Sequence, residues 1–411
     1  MKIDKVTIDK INPAAYNPRL DLQPGDKEYE KLKKSIDTFG YVEPLVWNSR
    51  TGNLVGGHQR LKILIEHGQT EVEVSVVDLD DTKEKALNLA LNKIQGDWDR
   101  DKLGHLLDEL TKLEGFDTGL TGFDPGEISQ ALDWLVDDVE DKPEFDENAT
   151  AITVSGDLIE LGPHRILCGD STKTEDIDRL LAGNKAGLLF TDPPYNVDYG
   201  GKRAGSGDNW DKIANDNMPQ DKYEEMLKKV LTNAVAVLDA GACVYIWNGS
   251  RQFGLMYVML LDLGMRVSGV ITWAKETFAM GLHAYSIDYK QQTEFCLYGW
   301  KEKNGTHKWY GPENESTLWQ IKRDSTINYI HPTQKPIAVA TRGIRNSSKR
   351  GDIVLDLFLG SGTTLIAAGT LQRRCYGIEM DPGYCDAIVR RYVQRFGRDR
   401  VSEEIIKKYH L

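Results

Sequence analysis

The chain has 411 residues, 40% of them apolar, which is enough to build more than one hydrophobic core. No apolar run reaches the roughly 18 residues that a membrane helix needs, and the N-terminus lacks a signal-peptide pattern, so we expect a cytoplasmic protein without a membrane anchor. The five cysteines are too widely spaced for a disulfide framework or a zinc site, so we expect no bound metal. The net charge of -12 is unevenly divided, with 18 basic and 32 acidic side chains in residues 1–150 but 33 and 31 in residues 151–411, so only the second part is suited to binding phosphates.

Residues 1–95 are predicted to form a small α/β domain, because short apolar runs alternate with helical patterns over 29–39 and 58–67. Two strings, Asn17-Pro18-Arg19 and Val55-Gly56-Gly57-His58-Gln59-Arg60, resemble the ParB and sulfiredoxin-like domain. The resemblance implies a nucleoside triphosphate, and a glycine pair at a helix N-terminus beside arginines suits phosphates. The candidate residues are Arg19, Gly57, His58 and Arg60. The sulfiredoxin cysteine is absent, so reductase chemistry is not expected. The alternative is a DNA-docking or dimerisation domain in which the Gly-Gly-His turn only packs.

Residues 96–150 are predicted to be a helical segment followed by an acidic linker. Helical patterns cover 83–93 and 101–113, and Asp124-Pro125 supplies a capping residue and a first-turn proline to a helix over 128–135. Residues 137–150 are acidic and poor in apolar side chains, which is typical of a linker.

Residues 151–411 have the pattern of a larger α/β domain. Helical stretches separate several of the apolar runs, as a parallel sheet requires. The predicted strands cover residues 158–161, 165–168, 187–190, 242–247, 267–273, 294–298, 353–357 and 375–378.

A glycine turn follows the strand predicted over 353–357. Gly360-Ser361-Gly362 leads into a helix over 365–371, and Glu379 lies nineteen positions after Gly360, at the end of the next strand. This is where nucleotide-binding folds place the acid that holds ribose hydroxyls. No lysine follows the second glycine and the third glycine of the dinucleotide pattern is missing, so the turn favours a nucleoside ligand without a pyrophosphate.

A second candidate site is Asp192-Pro193-Pro194-Tyr195, which follows the strand predicted over 187–190. An aromatic amine is a poor nucleophile, and two acceptors on its hydrogens would make the nitrogen more reactive. Asp192 supplies a carboxylate and Pro193 a carbonyl, while the two prolines fix the backbone before a substrate arrives. Tyr195 offers a ring on which an extruded base can stack.

With these motifs, residues 157–395 resemble the amino-group DNA methyltransferases of the β arrangement, in which Asp-Pro-Pro-Tyr precedes the cofactor loop. Supporting strings are Gly169-Asp170-Ser171, His331-Pro332-Thr333-Gln334-Lys335-Pro336 and the segment 356–364. The resemblance implies a Rossmann-like α/β domain with permuted motif order and S-adenosylmethionine as cofactor. Asp170 would then contact the adenine, Glu379 the ribose and the 358–364 loop the methionine part, with Lys335 closing over the site. The expected cofactor residues are Asp170, Lys335, Asp356, Phe358, Gly360, Ser361, Gly362, Thr363, Thr364 and Glu379.

The resemblance also bears on the methylated base. Members with aspartate at the first motif position mostly methylate adenine N6, whereas serine is more frequent in enzymes that methylate cytosine N4, which is the alternative. Methylation of the cytosine ring carbon needs a cysteine after a proline, and none of the five cysteines has one. Two other hypotheses are a ParB-like nucleotide-dependent DNA-binding protein with an accessory methyltransferase half, and methylation of a protein glutamine, for which the motif normally begins with asparagine.

Double-stranded DNA is the expected partner, and a homodimer is left open. Tryptophans and lysines are interleaved between 247 and 325, a mixture suited to stacking and phosphate contacts, so this is the predicted target-recognition region. The alternative is an aromatic core with solvated lysines. A glycine-rich loop over 200–207 is expected to order on DNA. The candidate DNA contacts are Lys202, Arg203, Trp247, Lys275, Lys301 and Arg323.

Overall fold

The computed structural model divides the chain into two compact units, Met1–Asp137 and Asp138–Leu411. None of the described helices combines the length and the hydropathy of a membrane span. The structure describes residues 2–93, 98–113, 115–133, 150–198, 215–276, 288–302, 306–312, 315–323 and 334–411.

The first unit begins with a five-stranded sheet in the order β1-β5-β3-β4-β2. Its core contains the fully buried side chains of Leu45, Leu54 and Val74. The elements are β1 (Lys2–Thr7), β2 (Asn12–Pro13), α1 (Lys27–Phe39), β3 (Leu45–Asn48), β4 (Asn53–Gly56), α2 (His58–Glu66) and β5 (Glu71–Val77). The helices predicted over 29–39 and 58–67 are therefore present, each within two residues of its predicted bounds.

Three more helices complete this unit: α3 (Asp81–Asn92), α4 (Arg100–Thr111) and α5 (Pro125–Asp133). Leucines of α3 and α4 pack with Ile128 of α5 in a second core. The helix α5 begins three residues before its predicted start, because Oδ1 of Asp124 accepts hydrogen bonds from the backbone N–H groups of Gly126 and Glu127. Of the predicted linker, only Thr150 lies inside the described residues.

The second unit contains a nine-stranded sheet in the order β12-β10-β11-β9-β8-β13-β14-β7-β6. All eight predicted strands are present, and a three-residue strand, β12, was not predicted. The elements are β6 (Leu158–Leu161), β7 (His164–Cys168), α6 (Thr174–Leu181), β8 (Ala186–Thr191), α7 (Gln220–Val237), β9 (Leu238–Asn248), α8 (Phe253–Asp262), β10 (Met265–Ala274), β11 (Thr293–Lys301), β12 (Leu318–Gln320), α9 (Ile337–Ser347), β13 (Ile353–Asp356), α10 (Thr363–Thr370), β14 (Arg374–Glu379), α11 (Pro382–Phe396) and α12 (Glu403–Tyr409).

The five central strands, β9, β8, β13, β14 and β7, are parallel to one another. The flanking strands differ, since β11 pairs antiparallel with β9 and with β10, and β6 pairs antiparallel with β7. From β8 the chain continues to its neighbour β9 on one side, and from β13 it continues to β14 on the other. The carboxyl ends of β8 and β13 therefore meet where the strand order reverses, which is where open α/β sheets bind ligands. This is the expected Rossmann-like fold.

Candidate active site

Four neighbouring parallel strands, β8, β13, β14 and β7, carry the predicted site residues at one edge of the sheet. Asp192 follows β8, the Gly360 turn follows β13, Glu379 ends β14 and Asp170 follows β7. Because the strands are parallel, their carboxyl ends lie side by side. The structure thus brings together two motifs that lie more than 160 positions apart in the chain.

The Glu379 carboxylate fixes the glycine turn. Its Oε2 accepts a hydrogen bond from the backbone N–H of Gly360 at 2.7 Å, and its Oε1 accepts one from Asp381 at 2.9 Å. Burial raises the pKa of Glu379 to about 7. The backbone N–H of Gly169 donates to the Glu379 carbonyl at 2.9 Å, which ties the start of the Asp170 turn to the same strand end. Each carboxylate oxygen still has lone pairs for ligand hydroxyls.

The glycine turn itself needs its glycines and a buried cation. Gly362 has a φ of 81°, in the left-handed region, and a Cβ there would lie 3.0 Å from the side chain of Ile388. Beneath the turn, Nη1 of the buried Arg391 donates to the Ser361 carbonyl at 2.7 Å and lies 3.4 Å from Oγ1 of Thr363. The side chains of Ser361, Thr363 and Thr364 are buried, so the N–H groups at the start of α10 are what the loop offers to a ligand. Arg391 is one of the basic residues in 151–411, the part of the chain that the sequence suggested for phosphates, but it is buried.

Asp356, expected at the cofactor, joins two strands. Its Oδ1 accepts hydrogen bonds from the Thr191 hydroxyl at 2.8 Å and from the backbone N–H of Phe358 at 3.1 Å. The Thr191 hydroxyl in turn accepts from the Leu357 N–H at 3.2 Å. Burial raises the pKa of Asp356 to about 6. Thr191 was missed by the sequence reasoning, although a polar residue directly before Asp192 in an apolar strand is a usable signal.

At the catalytic turn both oxygens of Asp192 have partners. The Tyr195 hydroxyl donates to Oδ1 at 2.8 Å, and the Lys335 ammonium pairs with Oδ2. Lys335 also lies 3.2 Å from Oε2 of Glu294. Burial raises the pKa of Asp192 in spite of the ammonium beside it. Lys335 was expected at the cofactor, and the structure places its ammonium on Asp192 and its carbonyl 3.3 Å from the Thr363 hydroxyl of the glycine loop.

The turn is held from three sides. The Tyr223 hydroxyl donates to the Pro194 carbonyl at 2.7 Å, and the Asn196 side chain makes two hydrogen bonds to the backbone of Met218. Gly249 lies against Tyr195, since a Cβ there would be 3.2 Å from the Tyr195 ring. These supports were not predicted, because nothing in the sequence near residue 192 indicates them. The acceptors of the motif are therefore fixed before any substrate arrives.

The expected DNA contacts need correction. Trp247 is fully buried, so it cannot stack on DNA from the protein surface, and it packs against Trp273 and Trp319. Lys275 is buried and pairs with Glu294, while the Lys301 ammonium donates to the carbonyls of residues 235 and 238. For these three residues the aromatic core with internally bonded lysines is the correct description. Arg323 is half-buried, and Lys202 and Arg203 lie outside the described residues.

In the first unit, the predicted nucleotide residues lie around the start of α2. Gly57 has a φ of 94° and precedes His58, the first residue of the helix. Burial lowers the pKa of His58 to about 4, and no hydrogen-bond partner for its Nε2 lies among the described residues. Arg60 contacts the Glu43 carboxylate at 2.6 Å, and the charge of Arg19 acts on His58. The structure therefore groups the four residues.

Comparison with known proteins agrees with both resemblances. The model of the DNA methylase family matches residues 186–390, and that of the ParB N-terminal domain matches residues 1–93. A ParB-methyltransferase HTH domain matches residues 101–155, where the sequence predicted only helices and a linker.

Curated relatives and solved structures match about half of the chain or more. The type II methyltransferase M.HpaI of Haemophilus parainfluenzae is 30% identical over 261 residues, which are 59% of this chain and 78% of the relative. The type II methyltransferase M2.DpnII of Streptococcus pneumoniae is 29% identical, over 48% of this chain and 78% of the relative. Among solved structures, the M1.HpyAVI-SAM complex is 27% identical, with a TM-score of 0.43, over 55% of this chain and 97% of that chain.

Replacing Thr191 by valine tests the link between β8 and β13. Valine keeps the shape but removes the hydroxyl that donates to Asp356, so we expect the free energy of unfolding to fall by about 1–3 kcal/mol. In the wild-type protein this hydrogen bond stabilises the ionised form of Asp356, whose pKa is raised to about 6 by burial. Loss of the bond in the variant therefore raises that pKa further. The destabilisation should therefore be larger at pH 8 than at pH 5, as measured by urea unfolding.

Thr232→Val is the matched control, because the exposed Thr232 hydroxyl on α7 donates only to the Lys228 carbonyl. It should change stability little and equally at both pH values. A Thr191→Val loss that is independent of pH would contradict the assigned role of Asp356.

Proposed function

Because this chain belongs to the DNA methylase family, we propose that it transfers a methyl group from S-adenosylmethionine to the exocyclic amino group of adenine in DNA. The protein is an S-adenosylmethionine-dependent DNA methyltransferase that acts on a base amino group. The observation that carries the proposal is the adjacency of β8 and β13, which puts Asp192 and the glycine turn at one edge of the sheet.

The residues present fit this cofactor. The Glu379 carboxylate faces the turn with lone pairs for ribose hydroxyls, and Asp170 lies at the next strand end for the adenine. N–H groups at the start of α10, above the buried Arg391, suit the methionine carboxylate. When bound, S-adenosylmethionine supplies an electrophilic methyl group. Binding and orienting it is the work of the strand ends β7, β14 and β13.

Asp192 and Pro193 act on the base. The Asp192 carboxylate and the Pro193 carbonyl accept hydrogen bonds from the two amino hydrogens, which directs the nitrogen lone pair away from the ring. A carboxylate has about four acceptor sites, so Asp192 takes the amino group while it keeps Tyr195 and Lys335. As the nitrogen bonded to the methyl carbon, the carbon–sulfur bond of the cofactor would break, leaving S-adenosylhomocysteine. The nitrogen would lose one proton, and Asp192, with its raised pKa, is placed to accept it.

Tyr195 holds the base in place. A base in a duplex must be extruded before its amino group can reach Asp192. The Tyr195 ring is supported by Gly249 and anchored by its hydroxyl bond to Asp192, so it can stack on an extruded base. Recognition of the surrounding sequence is assigned to the region 247–325, where Tyr289 is 94% exposed.

Adenine is proposed over cytosine because aspartate opens the motif. The carboxylate of Asp192 provides a full negative charge at the acceptor, and the resemblance associates that residue with adenine N6. Methylation of cytosine N4 is the second candidate, since the family model covers DNA methylases without distinguishing the base.

Asp192→Asn should reduce methyl transfer by about 100-fold or more, because asparagine presents one acceptor and a competing N–H donor. The measurement is transfer of labelled methyl groups into unmethylated genomic DNA, followed by nucleoside mass spectrometry and long-read mapping of modified sites. We expect 6-methyladenine from the wild-type enzyme and a cofactor affinity in the variant within about twofold of wild type.

Two results would contradict this assignment. Full turnover by Asp192→Asn would remove Asp192 from catalysis, and 4-methylcytosine as the product would replace adenine by cytosine. Asp239→Asn is the control, because Asp239 pairs with Lys308 at 3.1 Å at the start of β9; its activity should be unchanged.

We propose a homodimer that forms through α8. One face of this helix exposes the apolar side chains of Tyr257, Val258 and Leu261, with Gly254 one turn before them. Arg251 precedes the helix and Asp262 ends it, so an antiparallel pairing of two copies about a two-fold axis brings Arg251 close to the partner's Asp262. In that arrangement the apolar side chains of the two copies would face each other and opposite charges would meet at both ends.

Val258→Lys should convert the dimer to a monomer, because two lysines would face each other in the apolar interface. Light scattering after size-exclusion chromatography measures the mass. Val154→Lys, at another exposed apolar residue of the same unit, should remain dimeric. A monomeric wild-type protein would overturn the proposal.

We propose that the first unit binds a nucleoside triphosphate at the start of α2. Gly57 lies in the left-handed region and caps α2 without a side-chain hydrogen bond to the first-turn N–H groups. The His58 Nε2, which has no partner among the described residues, and the nearby Arg60 add polar groups for phosphates. The competing assignment is a DNA-docking unit in which this turn only packs.

Arg60→Ala should weaken triphosphate binding at least about tenfold, because a charged hydrogen bond to phosphate is worth about 1.5–3 kcal/mol. Calorimetric titration of the full chain with cytidine or adenosine triphosphate and Mg²⁺ is the measurement. Arg50→Ala is the control, since Arg50 pairs with Asp78 at the surface. If neither triphosphate binds the wild-type chain, the unit serves only docking or packing.

A further inference from the structure

Four ionisable side chains form a continuous buried network at the catalytic turn. Lys275, directly after β10, pairs with Glu294 of β11; Glu294 lies 3.2 Å from the Lys335 ammonium, and Lys335 pairs with Asp192. The lysine side chains are 6% and 7% exposed, and the carboxylates 21% and 24%. When all four are ionised, the two positive and two negative charges balance.

The network contains more charged residues than are needed to neutralise Asp192. Burying a charge is unfavourable unless it is fully paired, and each added pair brings a further desolvation penalty. One lysine on Asp192 would already have neutralised it. A second pair, Lys275 and Glu294, is placed so that Glu294 contacts the lysine rather than Asp192 itself. The second pair therefore acts on Lys335.

We propose that Glu294 is a positioning residue for methyl transfer: it shares the Lys335 ammonium with Asp192 and so leaves the Asp192 carboxylate able to accept the amino hydrogens of the base. The inference rests on the proposed role of Asp192. Lys335 then acts through Asp192, and Lys275 acts through Glu294.

Aromatic rings fix the two lysines from the side. The Lys335 ammonium lies 5.2 Å from the centre of the Trp247 ring and 5.6 Å from that of Tyr195. The Lys275 ammonium lies 5.0 Å from the Trp273 ring centre. A position above the face of an aromatic ring is favourable for a cation. The buried tryptophans of the recognition region therefore support the catalytic charges from within the core.

The Tyr195 hydroxyl is also shared. It donates to Asp192 at 2.8 Å and lies 3.5 Å from Oε2 of Glu294. Removing the Glu294 charge would leave both the hydroxyl and the ammonium to Asp192 alone. Asp192 would then be surrounded by donors only, which makes it a weaker acceptor for the substrate.

The negative charge of Glu294 changes the pKa of Asp192 in a definite direction. The Lys335 and Lys275 ammonium groups hold the pKa of Glu294 at about 2 although burial opposes them, so Glu294 stays ionised at all practical pH values. Its negative charge contributes to the raised pKa of Asp192, and the Lys335 ammonium opposes that shift. Within the described part of the chain, the titratable and charged groups that act on Asp192 or are acted on by it include Lys335, Glu294, Tyr195, Tyr223, Cys296 and Asp356.

Glu294→Gln tests the inference. Loss of the Glu294 charge lowers the pKa of Asp192, so the acid limb of the kcat profile should move to lower pH. At neutral pH kcat should fall roughly tenfold, as for other residues that orient a catalytic group through a neighbour. The KM for S-adenosylmethionine and its calorimetric affinity should change less than about twofold. The assay is labelled methyl transfer into unmethylated genomic DNA as a function of pH.

Three variants complete the experiment. Glu294→Asp keeps the charge and should restore the wild-type acid limb. Asp157→Asn removes another partly buried carboxylate, which pairs with Lys408 at 2.8 Å, and should leave the profile unchanged. If Glu294→Gln does not fold, Glu294→Gln with Lys275→Met removes the buried pair together and carries the same expectation.

The possible results separate the two proposals. An acid limb that stays in place or moves to higher pH, in a variant that folds and binds cofactor, overturns the role of Glu294 alone. Absence of methyl transfer by the wild-type chain overturns the proposed function and this inference with it. A shifted limb that Glu294→Asp restores supports both.

Discussion

The ion pair between Lys335 and Asp192 is the contact on which both halves of the active site depend. The ammonium of Lys335 lies on the catalytic carboxylate, and the carbonyl of the same residue accepts from Thr363 at the start of α10. One residue therefore fixes the distance between the catalytic turn and the cofactor loop. Because methyl transfer needs donor and acceptor in line and close together, this spacing matters more than either motif alone.

The sheet provides a second link of the same kind. The hydroxyl of Thr191 joins the last residue of β8 to Asp356, the last residue of β13. Main-chain pairing between these strands covers only two residue pairs, so the side-chain bond secures the ends where pairing has stopped. The catalytic motif precedes the cofactor motif in the chain, yet the chemistry depends only on their carboxyl ends being neighbours. Permuted motif order and an unchanged site are therefore compatible.

Sequence patterns were sufficient to predict the helices, the strands and the motifs, but not the residues that contact those motifs. The apolar strands before Asp192 and before the glycine turn were predictable because a buried parallel strand is a continuous apolar run. The strand β12 was not predictable, because three residues are too few to show the pattern of a strand. Lys335 lies 143 positions from Asp192, which it contacts, and Glu294 reaches the site through Lys335. No local pattern in the sequence records such contacts. Gly249 was missed for the same reason: its role is to make room for Tyr195.

The location of the charged side chains was the property that the sequence predicted least well. Counting side chains gave residues 151–411 a slightly basic character and suggested that their lysines and arginines meet phosphates. Among these cations, Arg391 and Lys275 are buried: Arg391 supports the glycine turn and Lys275 pairs with Glu294. The partly buried Lys301 donates to two carbonyls. Of these, Arg391 acts at the glycine turn and Lys275 acts on the carboxylate beside Lys335. A chain with a net charge of -12 can still act on DNA if affinity comes from stacking and local contacts, and the interior cations then serve the chemistry that follows.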